Sequence, residues 1–186
     1  MKKSFIAGVV CVAASVMLPA YGAGDIEAGK NKSAVCAACH GANGEALVAE
    51  YPNLAGQGAA YMVKQLKEFK EGTRSNVLMS PMAMPLSEED MEDLAAYYCS
   101  MPAKAGVAAE ENLEQGENIF RGGITSAKIP ACTGCHSPSG AGNPAAMYPA
   151  LSGQNAAYIA STLKEFRSGA RANDPNGMMR DVAHRL

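Results

Sequence analysis

Tryptophan is absent from the 186 residues, and 4 Phe with 7 Tyr barely match the 11 Met. Charge of one sign is missing too: 16 Lys and Arg stand against 18 Asp and Glu, for a formal net charge of −2. That balance argues against a protein held to nucleic acid by electrostatics. No segment shows the period-two alternation of a half-buried strand, so nothing in the chain calls for a sheet. Long apolar runs are lacking apart from residues 5–18. Nothing else approaches the roughly 20 apolar residues that a membrane-crossing helix needs, so the mature chain is expected to be soluble. What is present is a globular composition, 48% hydrophobic, with 19 Gly, 10 Pro and an unusually high 6 Cys. The length suits one ordinary domain or two small ones.

The single apolar run reads as part of a secretory signal peptide. Lys2 and Lys3 precede it, and the small residues Ala20 and Gly22 place cleavage after Gly22. An uncleaved anchor is the competing reading. Residues 1–22, Cys11 among them, are therefore expected to leave, giving an exported, periplasmic chain.

The remainder is written twice. Cys36-Ala37-Ala38-Cys39-His40 returns as Cys132-Thr133-Gly134-Cys135-His136, and Tyr51-Pro52-Asn53-Leu54-Ala55-Gly56-Gln57 as Tyr148-Pro149-Ala150-Leu151-Ser152-Gly153-Gln154. Leu66-Lys67-Glu68-Phe69 matches Leu163-Lys164-Glu165-Phe166, and Gly72-Thr73-Arg74 matches Gly169-Ala170-Arg171. The offset is 96 at the cysteines and 97 from the Tyr-Pro onward. Such agreement in order and spacing marks a tandem duplication. The expected layout is a first domain over 23–103, a linker over 104–112 and a second domain over 113–186.

Both copies are expected to be all-α. Residues 59–71 carry Tyr61, Met62, Leu66 and Phe69 near one face before Gly72, and residues 156–168 repeat this with Tyr158, Ile159, Leu163 and Phe166 before Gly169. Ser87 and Asp90 form a capping box for a helix that buries Met91, Leu94, Ala95 and Tyr98 and stops by Pro102. Cys99, on that helix, reads as a small buried apolar residue. Shorter helices are expected around 25–35 and 111–120.

Cys-x-x-Cys-His is the attachment sequence of a c-type haem. Two thiols on one helical turn can add to the two vinyl groups of a porphyrin, and the following imidazole then faces the iron. A thioredoxin-like pair would need a βαβ setting that is missing here. A structural zinc site could use the same Cys and His side chains. Disulfides are permitted in an exported chain but leave the adjacent His of both copies unexplained. Two motifs in an exported, duplicated, helical chain point to two covalently attached haem c groups, through Cys36, Cys39, Cys132 and Cys135, with His40 and His136 on the irons.

The sixth iron position separates electron carriers from open-site catalysts. Met79, Met82 and Met84 crowd one loop, Met178 and Met179 another. Counting back from Leu86 and Leu186 aligns Met79 with Met179, whereas Met82 meets Val182, Met84 meets His184, and Met178 meets Leu78. Met79 and Met179 are the expected ligands, and His184 reads as a solvated surface residue. Pro52 follows His40 by 12 residues and Pro149 follows His136 by 13, so a backbone carbonyl there could accept the imidazole's other N–H; a plain turn would need the same residues. Arg74 and Arg171 suit haem propionates or, equally, solvent.

With these residues in view the chain resembles the cytochrome c4 family of dihaem c-type cytochromes, soluble or peripherally membrane-associated, over essentially the whole mature sequence. The resemblance rests on the paired Cys-x-x-Cys-His motifs, on residues 51–57, on Gly153-Gln154 and on the segments 130–140 and 86–98. It implies two cytochrome c folds about a pseudo-two-fold axis, with His40 and Met79 on the first iron and His136 and Met179 on the second. It also implies an electron shuttle, not an enzyme, between a quinol-oxidising cytochrome bc-type complex and a haem-copper terminal oxidase. In that family a closing helix packs on the opening one. The first copy has this element after Leu86, whereas Leu186 is the last residue of the second. A weakened second site with a loosely held Met179 is the expectation.

Two rivals stand beside the shuttle. A dihaem peroxidase would need one open iron and a distal acid–base residue, and a haem subunit of a membrane oxidase or dehydrogenase complex would need a docking partner. The copies also differ in charge. Residues 23–107 carry −4, whereas residues 118–186 carry +4 beyond an acidic junction at Glu110, Glu111, Glu114 and Glu117. Such a dipole suits oriented docking to redox proteins.

Overall fold

The computed structural model describes residues 24–186; the expected signal peptide and its cleavage site lie outside the described residues. Within them the chain is helical, with only two isolated β-bridges, Ile124 to Ile129 and Asn143 to Tyr148. The first half contains α1 (Ile26–Lys32), α2 (Ala37–His40), α3 (Ala59–Glu71), α4 (Met79–Ala83) and α5 (Glu88–Ser100). The second contains α6 (Leu113–Gly122), α7 (Thr133–His136), α8 (Ala156–Ser168) and α9 (Met178–Arg185).

Local chemistry sets the helix ends. The Asp25 carboxylate accepts from the backbone N–H groups of Glu27 and Ala28 at 2.8 and 3.0 Å, which starts α1. At α5 the expected capping box is formed: Asp90 N–H donates to Ser87 Oγ, and Ser87 N–H returns a bond to Asp90 Oδ2. Gly72 and Gly169 take the left-handed conformation that closes α3 and α8.

The core of the first half lies between α3 and α5, where Ala59, Met62, Leu94, Ala95 and Tyr98 form one buried cluster. Met91 is also buried, so the expected inner face of α5 is the observed one. Cys99 is not part of it. It is exposed, because one residue past Tyr98 is about 100° round the helix. On α3, Tyr61 and Leu66 are only half-buried, while the polar Gln65 is buried.

α1 crosses α5 at close range. A Cβ at Gly29 would stand 2.0 Å from the Asp93 carbonyl oxygen, so only glycine permits this approach. Below the crossing, the buried Asp93 carboxylate accepts from Asp25 N–H at 2.7 Å and from Lys32 Nζ at 2.6 Å. The fourth residue of α6 is, like that of α1, a glycine, Gly116, which meets nothing within 4 Å, and no residue of α6 is buried. The second half instead buries Ile129, Phe166 and Ala183, around α8 and α9.

The halves meet through α3, α8 and the loops preceding them. Arg74 donates to the hydroxyl of Tyr158 at 3.1 Å, and Arg171 donates to that of Tyr61 at 3.0 Å. These pairs exchange under the 97-residue offset, as an approximate two-fold relation requires.

Candidate metal centres

Each Cys-x-x-Cys-His segment folds as a single turn of helix. His40 N–H donates to the Cys36 carbonyl and His136 N–H to the Cys132 carbonyl, both at 2.9 Å. The turn sets both thiols and the imidazole within five consecutive residues. Cys36 and Cys132 are half-buried, Cys39 and Cys135 are exposed, and none of the four is in a disulfide. Burial pushes the Cys36 and Cys132 thiols up, the opposite of an activated redox thiolate. Among the described residues no three His, Cys, Asp or Glu side chains converge as ligands for a metal ion, so a structural zinc site has no constellation there.

Both histidines are buried, at 6% and 8% exposure. His40 Nδ1 donates to the Pro52 carbonyl oxygen and His136 Nδ1 to that of Pro149, each at 2.9 Å. A carbonyl can only accept, so Nδ1 carries a proton, and in the neutral ring Nε2 keeps its lone pair. Burial lowers the His40 pKa against the opposing pull of Pro52, which favours the neutral, metal-binding imidazole. A tyrosine leans on each ring, Tyr51 at 6.4 Å and Tyr148 at 6.3 Å between centroids. The Tyr-Pro segments therefore do more than turn the chain: they fix a tautomer and a ring angle.

The methionines separate by burial. Met79, first residue of α4, is half-buried, while Met82 and Met84 are 43% and 59% exposed. In the second half Met179 is half-buried and Met178 is 37% exposed, its sulfur 3.9 Å from the Tyr148 hydroxyl. Ala83 and Ala183, four residues beyond Met79 and Met179, are both fully buried, which supports the same 100-residue offset. Three extra residues thus lie between Arg171 and Met179, where the chain makes an added 3₁₀ turn at Pro175–Gly177. His184 is exposed.

Side chains that sequence reasoning passed over hold these helices. Asn76 Oδ1 accepts from Met79 N–H at 3.0 Å, and Asp174 Oδ2 accepts from Arg180 N–H at 2.9 Å. An Asn or Asp shortly before a helix is a readable capping signal, though Asp174 acts from six residues away. Arg74 and Arg171 are neither free nor solvated. Each lies over a phenylalanine of its own half, Phe69 at 4.4 Å and Phe166 at 4.5 Å. Both also donate to Gln65 Oε1, at 2.8 and 3.0 Å. Burial opposes ionisation of Tyr158, but the guanidinium groups of Arg74 and Arg171 outweigh it and hold the phenol below its ordinary range.

The donor set fits a covalently attached haem. Each turn offers two unpaired thiols and a buried imidazole with Nε2 available, and a half-buried thioether stands at matching positions of the two halves. The irons would supply a one-electron couple.

Comparison with known proteins agrees. The family described as Cytochrome c matches residues 26–101. Cytochrome c4 of Thiocapsa roseopersicina is 50% identical over 165 residues, covering 88% of this chain and 85% of the relative. The thiosulfate dehydrogenase electron acceptor of Stutzerimonas stutzeri strain A1501 is 38% identical, covering 97% of this chain and 87% of that one. The crystal structure of reduced recombinant cytochrome c4 from Pseudomonas stutzeri superposes with a TM-score of 0.85 at 46% identity, over 88% of this chain and 92% of that chain.

Proposed function

Because the chain belongs to the cytochrome c4 family of dihaem electron carriers, we infer that its haems are attached at Cys36 with Cys39 and at Cys132 with Cys135. His40 and Met79 are the axial ligands of the first iron, His136 and Met179 of the second. The first haem belongs to a domain over residues 23–103 and the second to a domain over 113–186, joined by 104–112. The observation that carries the ligand assignment is the duplicated imidazole geometry, with Nδ1 held at 2.9 Å by a proline carbonyl in both halves.

A His and a Met would hold each iron, and the haem would supply a one-electron couple whose potential a Met ligand raises. The chain's own contribution is to hold two imidazoles by their Nδ1 atoms and two thioethers on short helices while the halves stay joined. The proposed setting is the periplasm, reached by cleavage after Gly22. No helix among the described residues is long and apolar enough to cross a membrane. The proposed partners are a quinol-oxidising cytochrome bc-type complex as donor and a haem-copper terminal oxidase as acceptor. The relative named as an electron acceptor of thiosulfate dehydrogenase supplies a second candidate donor.

Optical spectra of periplasmically matured protein test the site assignment. Two c-type haems per chain, a Met–iron charge-transfer band when oxidised and no response of the reduced form to carbon monoxide are expected. A carbon monoxide shift in half the haem would overturn closed ligation at one site. Mixing the oxidised protein with each donor complex in turn tests the partners, and faster reduction by the thiosulfate enzyme would displace the quinol route.

A further inference from the structure

The glutamines of the two Gly-Gln turns reach across the domain boundary, and each grips the loop that anchors the other half's histidine. Gln154 Oε1 accepts from Asn53 N–H at 2.8 Å while its Nε2 donates to the Asn53 carbonyl at 3.0 Å. Gln57 repeats this on Ala150, accepting from its N–H at 2.9 Å and donating to its carbonyl at 3.1 Å. Each amide oxygen also accepts from the residue that follows its own glutamine, Gly58 and Asn155, which fixes the amide plane. Asn53 directly follows Pro52, and Ala150 directly follows Pro149. The carbonyls of those prolines are the acceptors of His40 and His136 Nδ1.

We propose that the axial histidines are positioned in trans: Gln154 of the second half sets His40, and Gln57 of the first half sets His136. This rests on the assignment of His40 and His136 as iron ligands. A two-bond amide clamp on the residue after the proline leaves the peptide carrying the acceptor carbonyl little freedom to rotate. The strength of the Nδ1–H bond governs how basic the imidazole is, and a stronger bond favours the oxidised iron. Each half thereby adjusts the potential of the haem it does not hold. Both glutamines are positioning residues, since neither reaches a ligand atom.

The two clamps are unequal. The Pro52 loop is also held by Asn155 Nδ2, donating to the Tyr51 carbonyl at 2.8 Å, and by Asn53 Nδ2, donating to the Gly153 carbonyl at 2.7 Å. At the matching positions stand Gly58 and Ala150, which have no amide side chain to offer. His136 therefore depends on Gln57 more than His40 depends on Gln154.

The test uses the matured dihaem protein with Gln57→Met and, separately, Gln154→Met, which keep side-chain length and remove both bonds. The readouts are the two reduction potentials and the Nδ1–H proton resonances of both histidines in the reduced, diamagnetic state. Gln57→Met is expected to move the His136 resonance and raise the potential of the second haem, leaving His40 and the first haem in place. Gln154→Met is expected to move the His40 resonance and raise the potential of the first haem by a smaller amount, and that shift grows when Asn155→Gly is added. Changes confined to the haem of the glutamine's own half, equal changes in both, or none in either would overturn the proposal. Met79→His identifies which potential belongs to the first haem, because a second imidazole in place of the thioether lowers it. If Met79→His moves neither potential, the ligand assignment fails at Met79, whatever the glutamine variants show.

Discussion

At the scale of single residues, burial sorts the methionines as the repeat does. Met79 and Met179 are half-buried at positions matched by the 100-residue offset, whereas Met82 and Met84 are exposed. Met79→Ala is therefore expected to open one iron: carbon monoxide should shift the spectrum of half the reduced haem. Met179→Ala should open the other half, and Met82→Ala or Met84→Ala should change nothing. A silent Met79→Ala variant would remove Met79 from the ligand set. The roles of Pro52 and Pro149 were legible because a local spacing of 12 or 13 residues carries them. Those of Arg74 and Arg171 were not, since their hydroxyl partners lie 84 and 110 residues away on the opposite copy. Cys99 misled because a helical pattern fixes a face only to within a residue, and one residue turns a core position into a surface one.

At the scale of elements, one glycine sets how closely two helices cross. Gly29 lets α1 press on the backbone of α5. Gly29→Ala is expected to destabilise the first domain, since the obstructing atoms are backbone and cannot step aside. An unchanged melting point in Gly29→Ala would contradict the packing described. The α1–α5 junction also carries a pH dependence. Lys32 and the Ser87 N–H hold Asp90 well below the usual carboxylate range; Lys32 and the Asp25 N–H depress Asp93; and both carboxylates raise Lys32. A depressed carboxylate stabilises the fold above its unfolded pKa, about 4, and that contribution goes as the pH falls through the lower folded values. The raised lysine contributes below its unfolded pKa of about 10.4, and its share goes only above that. The melting point is thus expected to be level between these limits as far as this junction controls it. The deficit of Asp93→Asn relative to the parent should shrink as the pH drops below about 4. Helix caps and faces were legible here because they are local, but the Lys32–Asp93 pair spans 61 residues and was not.

At the scale of the whole molecule, the duplication is symmetric in its arginine–tyrosine pairs and unequal in the acceptor they share. Arg74 with Tyr158 and Arg171 with Tyr61 exchange cleanly, but both guanidinium groups converge on one amide oxygen, Gln65 Oε1, which also accepts from Asn173 Nδ2 at 3.0 Å. The aligned residue is Thr162, whose buried hydroxyl has no hydrogen-bond partner among the described residues. One copy thus supplies the acceptor for the arginines of both. A repeat alignment reveals that positions 65 and 162 differ, yet not that the difference falls where the copies touch. Gln65→Leu leaves the buried Arg171 short of an acceptor, at about 1.5–3 kcal/mol for a lost bond to a charged group. Because that acceptor ties together donors from both halves, its loss should weaken their coupling more than the stability of either. Thermal unfolding followed at each haem is expected to separate into two transitions in Gln65→Leu. Thr162→Val, which keeps shape and removes an unsatisfied hydroxyl, should leave the parent's unfolding intact or raise it slightly. If Thr162→Val were the more damaging of the two, the interface would depend on the second copy's helix and not on Gln65.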